Sequence, residues 1–308
     1  MERYPLSRKK NKVNKKYLII TADDFGADSN INKSIELAFN NGVLDCASLM
    51  ATSPNESFEE AVDIAKKNPK LDVGIHLTLV SDDNICQKAL SYYECDKGLT
   101  REGYFHNLRT FIVQNSLFKT NIGLIEKEIR LQIERVLEHG INPSFINSHY
   151  YISELPFIKN LELKLALEYG IKTIRIPRQG LIITNNAGTP IILGMLKNCL
   201  LQLILNGLVS INMVRNRSLL KQLVTNDYFF GVMNTFRMNK KILIDIIKNI
   251  KYGVTEILFH PSLANGQSCH EKIDLEMLLD PEIKKLILSE DVKQINFNNL
   301  HLHTNANC

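Results

Sequence analysis

Short apolar runs alternate along this chain with longer stretches in which apolar side chains return every three or four residues. Residues 17–23 (Tyr-Leu-Ile-Ile-Thr-Ala-Asp) read as a buried strand. From Ser29, a suitable N-cap, Ile31, Ile35, Ala38 and Phe39 keep helical spacing until Gly42. The alternation continues with strand 43–50, helix 58–67 stopped by Asn68-Pro69, and strand 71–79. Helix 122–139 carries Ile122, Ile125, Ile129, Ile133 and Val136 on one face and ends at Gly140. Strand 144–148, helix 155–169 and strand 172–177 follow, then strand 229–233, helix 240–251 and strand 255–259. Helical segments within 271–289 and a strand at 294–297 complete the series. Such alternation predicts an α/β fold with a parallel sheet, and about seven units in one chain predict a (β/α) barrel, a distorted TIM-type barrel. Residues 80–120 read as a long loop region beyond one sheet edge. No repeat or linker divides the chain, so one domain is expected over 17–300, with an apolar insertion at 179–225 and a tail at 301–308.

Charge changes this picture only at the start. Of the formal net charge of +4 over 308 residues, residues 1–16 hold seven Lys or Arg and one Glu. The remainder is left near neutral, at about −2. A domain without a basic stripe is not expected to bind nucleic acid, and the leader reads as a solvated, flexible segment. It lacks the apolar core of a secretory signal. Six cysteines without a CxxC pair suit reduced thiols and a cytoplasmic location. Residues 190–214 are apolar but interrupted by Lys197, Asn198, Gln202, Asn206 and Asn212. An amphipathic helix packed on the domain, or on a second copy in a homodimer, is expected there and not a membrane span, with a peripheral membrane contact as the lesser alternative.

The chemistry sits where strands end. Asp23-Asp24 closes the first strand, His76 follows 71–75, His149 follows 145–148, and His260 follows 256–259. Ligands of open α/β sheets and of (β/α) barrels bind at that edge. Singly, each residue reads as an edge side chain or a helix cap; together they read as a metal-assisted hydrolase site. Asp24, His76 and His149 make an oxygen–nitrogen–nitrogen donor set with positions left for water and substrate. One divalent cation is expected, zinc being well matched by imidazole and magnesium preferring more oxygen. Asp23 is placed to act as general base, and His260, on a different strand, to donate a proton to a leaving group. Arg175 is suited either to hold Asp23 or to contact substrate.

Four segments carry a resemblance: Thr21-Ala22-Asp23-Asp24-Phe25-Gly26, Gly74-Ile75-His76-Leu77, Pro143 through Ser148-His149, and Phe259-His260-Pro261. In this order they resemble the signatures of the YdjC-like carbohydrate deacetylases, over roughly residues 17–300. The resemblance implies a barrel-like fold, a divalent metal (magnesium or zinc) on Asp24, His76 and His149, and hydrolysis of an N-acetyl group from an acetylated sugar. By the same analogy Asp23 is the base and His260 the acid. The chain departs from the family at Asn147, where an Asp is usual, and at Tyr151 and Ser153, where His residues are usual. Tyr151 can still stack on a sugar or donate a hydrogen bond, and Arg178 is the remaining candidate substrate contact. The departure motivates a second reading, a catalytically silent carbohydrate-binding member of the fold. A phosphate-ester hydrolase, resting on Arg175 and Arg178 alone, is a third.

Overall fold

Nine parallel strands form one curled sheet in the computed structural model, which describes residues 15–81, 87–91, 98–117, 121–179, 191–232, 238–264 and 269–304. The sheet strands are β1 (Lys16–Phe25), β2 (Cys46–Leu49), β3 (Asp72–Leu77), β6 (Phe145–Ser148), β7 (Thr173–Ile174), β8 (Val224–Thr225), β9 (Tyr228–Phe230), β10 (Gly253–Phe259) and β11 (Val292–Gln294). A separate antiparallel pair, β4 (Thr100–Arg101) and β5 (Tyr104–Phe105), lies in the irregular region after β3. The main path runs β8-β7-β6-β3-β2-β1-β10-β9, and β11 adds to β1. The two ends of that path meet, since the Phe229 N–H donates to the Arg178 carbonyl at 3.2 Å. The Asn226 side chain bridges the same seam, accepting from Ile176 N–H at 2.7 Å and donating to its carbonyl at 2.9 Å.

Helices α1 (Ser29–Asn41), α2 (Asn55–Lys67), α3 (Leu108–Leu117), α4 (Ile122–Glu138), α5 (Pro156–Glu168), α6 (Ile191–Arg215), α7 (Arg217–Leu220), α8 (Lys240–Lys248), α9 (Cys269–Leu279), α10 (Pro281–Ser289) and α11 (Phe297–Thr304) accompany it. Their periodic faces form the core with the strands: Ile35 and Ala38, then Ile125, Ile129, Ile133 and Val136, pack with Leu18, Ile20, Ile75 and Ile146. The α/β barrel-type expectation therefore holds. The sheet has nine strands where about seven units were expected. The strand at 294–297 is present as β11, and the one sheet strand with no counterpart in the sequence reading is β8, whose two residues are too short to show a period.

Boundaries shift for local reasons. Asp28, not Ser29, caps α1, its carboxylate accepting from the N–H groups of Asn30 and Ile31. The last strand ends at Gln294, not 297, because the Asn296 side chain accepts from Asn299 N–H and starts α11. Much of the basic leader (1–14), 305–308 of the tail, and residues 82–86, 92–97, 118–120 and 180–190 lie outside the described residues. The rest of the 179–225 insertion is α6, α7 and β8. Helix α6 packs on the domain, but with its polar side inward: Gln202 and Asn212 are buried while Leu200, Leu203 and Val214 are exposed. The sequence expectation had the apolar side covered.

After β6 the chain makes a 3₁₀ turn, His149–Glu154, in which Tyr150 and Tyr151 both have positive φ, 51° and 54°. Two consecutive non-glycine residues in this region are strained by about 1–2 kcal/mol each. Below the turn lies a buried ion triad. The Lys159 ammonium contacts Glu154 at 2.8 Å and Glu162 more closely still, and all three side chains are at most 2% exposed. Asn212 of α6 donates to the Glu154 carbonyl and carboxylate at 2.9 and 3.0 Å, tying helix, triad and turn together.

Removing the cation strands two buried carboxylates. Lys159→Met is expected to lower unfolding free energy by roughly 3–5 kcal/mol at pH 8 in urea titrations followed by circular dichroism. Burial already pushes the Glu162 carboxyl above its usual range against the pull of Lys159. Its ionised form is therefore the costly one in the variant, and the deficit shrinks as pH falls and the carboxyls take up protons.

Candidate active site

Parallel register brings the strand ends that carry the site residues side by side, and the turn after β6 places His149. Ala22 pairs with Ala47 on one side and Phe259 on the other, so Asp23 comes next to Ser48 and His260. His76 pairs with Asn147, and Ile146 with Ile174, which brings Arg175 beside Asn147. The register of β1 against β2 slips between Ala22 and Phe25, so two residues, Asp23 and Asp24, face one, Ser48. That is a β-bulge, and Asp24 at φ 63° turns through it. Adjacent side chains on a regular strand point to opposite faces. Here both carboxylates reach His76 instead: Asp24 Oδ1 lies 3.2 Å from Nε2 and Asp23 Oδ2 3.8 Å from Nδ1.

Around Asp23 the contacts are dense. Arg175 donates Nη1 to Oδ2 at 2.6 Å and Nη2 to Oδ1 at 2.9 Å, while Ser48 and Asn147 donate to Oδ1 at 2.8 and 3.0 Å. Burial raises the carboxyl, but Arg175 foremost, with His76 and His260, outweighs it and holds Asp23 at about 2. Arg175 also donates to Glu256 through Nε at 2.7 Å, and burial pushes the Glu256 carboxyl up despite that contact. Sequence reading missed Ser48 and Glu256 altogether. A charged residue in the middle of the apolar stretch Val254–Phe259 was the available signal for Glu256.

These bonds fix the protonation of His76. Ser48 gives its only hydroxyl hydrogen to Asp23, and Asn147 turns its NH2 group there too, so the Ser48 hydroxyl oxygen and the Asn147 carbonyl oxygen face His76 Nδ1, at 3.1 and 2.6 Å. Nδ1 must carry the proton, and the Nε2 lone pair is left for the cluster. His76 Nε2, His149 Nδ1 and Asp24 Oδ1 form a triangle with sides of 3.2, 3.2 and 3.4 Å. A tetrahedral centre with donors at about 2.0–2.1 Å separates them by about 3.3–3.4 Å. The residues therefore fit a divalent cation, and they are the group of this composition found among the described residues. Without one, Asp24 is raised by burial but pulled well below the carboxylate range by His149 and His76.

The other expected residues are spread around this centre. His260 is half-buried, and its N–H donates to Asp274 at 2.8 Å, whose carboxyl burial raises to about 6. Tyr151 is half-buried, its ring edge-on to Phe229 at 6.0 Å, and lines a small cavity with Asn147, Ser148, Ser153, Glu154 and Arg175. Ser153, the second departure, accepts from Ser148 Oγ at 2.8 Å and from Lys159 at 3.4 Å, so it belongs to the support of the turn. Arg178 is exposed and joins the barrel seam through its carbonyl.

The sequence profile of the YdjC-like protein family matches residues 17–289. A carbohydrate deacetylase of Listeria monocytogenes serotype 4a (strain HCC23) is 34% identical over 158 residues, 51% of this chain and 60% of that protein. The chain thus aligns with well under two thirds of the length of such relatives. Another carbohydrate deacetylase, from Geobacillus stearothermophilus, is 28% identical over 292 residues, covering 92% of this chain and 97% of that one. Among solved structures, one from Enterococcus faecalis V583 assigned to cellobiose-phosphate cleavage superposes with a TM-score of 0.71 at 22% identity, covering 93% of this chain and 99% of that one. That likeness shows the fold.

Asn147 is the position to test. Its replacement by Ala removes the acceptor that orders His76 and a donor to Asp23 together. Zn²⁺ titrated into the purified protein is expected to bind the Asn147→Ala variant roughly 10- to 100-fold more weakly than wild type by calorimetry. Unchanged affinity refutes the assigned role.

Proposed function

The chain belongs to the YdjC-like family, and from that premise we propose that it is a metal-dependent carbohydrate N-deacetylase. Its substrate is an acetylated sugar and its product the free amine and acetate. One observation carries the reading: three lone-pair donors converge within 3.4 Å of one another beside a fixed, ionised carboxylate. Asp24, His76 and His149 would hold the cation, zinc or magnesium. When bound, it supplies a Lewis acid that polarises the acetamide carbonyl and makes a water more acidic.

The chain's own groups do the rest. Asp23, kept ionised by Arg175, receives the proton of the attacking water as the new C–O bond forms. His260 delivers a proton to the amide nitrogen while the C–N bond breaks, because an unprotonated amine is a poor leaving group. Arg175 is a positioning residue, since its guanidinium is occupied by Asp23 and Glu256. Tyr151, at the edge of the small cavity, offers an aromatic face and a hydroxyl to the sugar, and Arg178 is placed on the solvent side as a second contact. Residues 17–300 act as one catalytic domain. We assign the protein to the cytoplasm; no helix among the described residues is long and apolar enough to cross a membrane.

The test is acetate release from N-acetylglucosamine oligomers and related acetylated sugars. Release is expected with added metal, to stop on chelation, and to fall by roughly 10²–10⁴-fold in Asp23→Asn. Sugar binding without release across that panel, with metal bound, overturns the enzyme reading in favour of a silent binding protein.

A further inference from the structure

Helix α6 is built inside out. Its buried positions, Gln202, Leu205, Val209 and Asn212, recur at helical spacing and continue into Asn216 just beyond it. Three of these five are amides, and each has a partner in the domain. Gln202 donates to the Pro177 carbonyl at 3.2 Å, Asn212 to Glu154, and Asn216 accepts from Asn160 at 2.9 Å. Half-buried Asn206 donates to the Gln179 carbonyl at 2.9 Å and accepts from its N–H at 3.3 Å. The outward face carries Leu200, Leu203, Ile204, Ile211 and Val214, between 47% and 76% exposed. A helix of a water-soluble domain normally presents the reverse arrangement. Contiguous apolar surface of this kind marks a place where something docks.

Charge identifies what docks. Between Glu168 and Asp227 the chain has no Asp or Glu, yet it has Lys172, Arg175, Arg178, Lys197, Arg215, Arg217 and Lys221. Arg175 is buried against Asp23 and Glu256, but Arg215 and Arg217 are exposed at the end of the apolar face. A second copy of this chain, packed face to face through α6, would bring Arg215 and Arg217 of each copy together with no acid from the same helix to offset them, which like charges oppose. An aliphatic stripe with a basic rim suits a lipid interface of negative charge. The helix does not qualify as a membrane span, so it would lie along the surface. Its bonds to Gln179 tether it one residue beyond Arg178, next to the strand edge where the site lies.

We propose that the outward face of α6 rests on an anionic phospholipid surface. This goes beyond the deacetylase reading and stands without it. The full-length protein is floated with vesicles of phosphatidylcholine alone and of phosphatidylcholine with phosphatidylglycerol. Binding is expected to the anionic vesicles only, and to decline as salt is raised. Leu203→Glu with Val214→Glu is expected to abolish it with an unchanged thermal melt, and Arg215→Glu with Arg217→Glu to weaken it by roughly tenfold or more. The charge-reversal pair decides the matter if the first pair fails to fold. Absence of binding overturns the proposal. So does undiminished binding in both variants, which would move it to the basic leader, or a wild-type dimer in gel filtration that Leu203→Glu renders monomeric.

Discussion

An ionised carboxylate with 3% of its surface exposed is stable only if the protein replaces the water it has lost. For Asp23 that replacement is complete: a two-pronged guanidinium, a hydroxyl and an amide all donate to it. Every other arrangement at the strand edge leans on this one. Ser48, having given its hydrogen to Asp23, and Asn147, whose carbonyl oxygen faces the ring, can only accept from His76. The imidazole is thereby held in one tautomer with its free nitrogen toward Asp24 and His149. A charge balance thus dictates a geometry, and the geometry dictates what can bind.

The bulge in β1 is the second requirement. Without the turn at Asp24 the two acids would face opposite sides of the sheet, one in the barrel and the other against helices. With it, one carboxylate is tied to arginine and its neighbour is left to the imidazoles. Similar logic applies to the turn after His149, where two tyrosines adopt left-handed backbone angles. Such a conformation persists when its surroundings over-determine it. The Lys159 triad and the Asn212 bonds from α6 supply that determination, so a helix remote in sequence helps set where His149 and Tyr151 stand.

Asp23, Asp24, His76, His149 and His260 were legible in the sequence because each ends an apolar run, a signal contained in a few neighbouring residues. Arg175 was legible with two roles left open, holding Asp23 or contacting substrate, and lateral register across β6 and β7 selects the first. Ser48 and Glu256 were hidden for the same reason: a serine or glutamate inside a strand carries no mark of what stands beside it. The alternation that revealed the barrel could not count β8, whose two residues span no more than one strand period. For α6, the polar and apolar stripes are equally periodic. Which stripe turns inward is decided by acceptors at Pro177, Gln179 and Glu154, and no local pattern contains them.

Asp23 and the arginine that neutralises it are 152 residues apart in the chain. All three donor atoms of the cluster, by contrast, come from the segment that ends at His149. As the polypeptide leaves the ribosome, the half with those three donors therefore emerges first, carrying Asp23 without the arginine that neutralises it. The guanidinium follows just after β7, and Glu256, 81 residues further on in β10, completes the charge balance only once the later strands of the sheet are present.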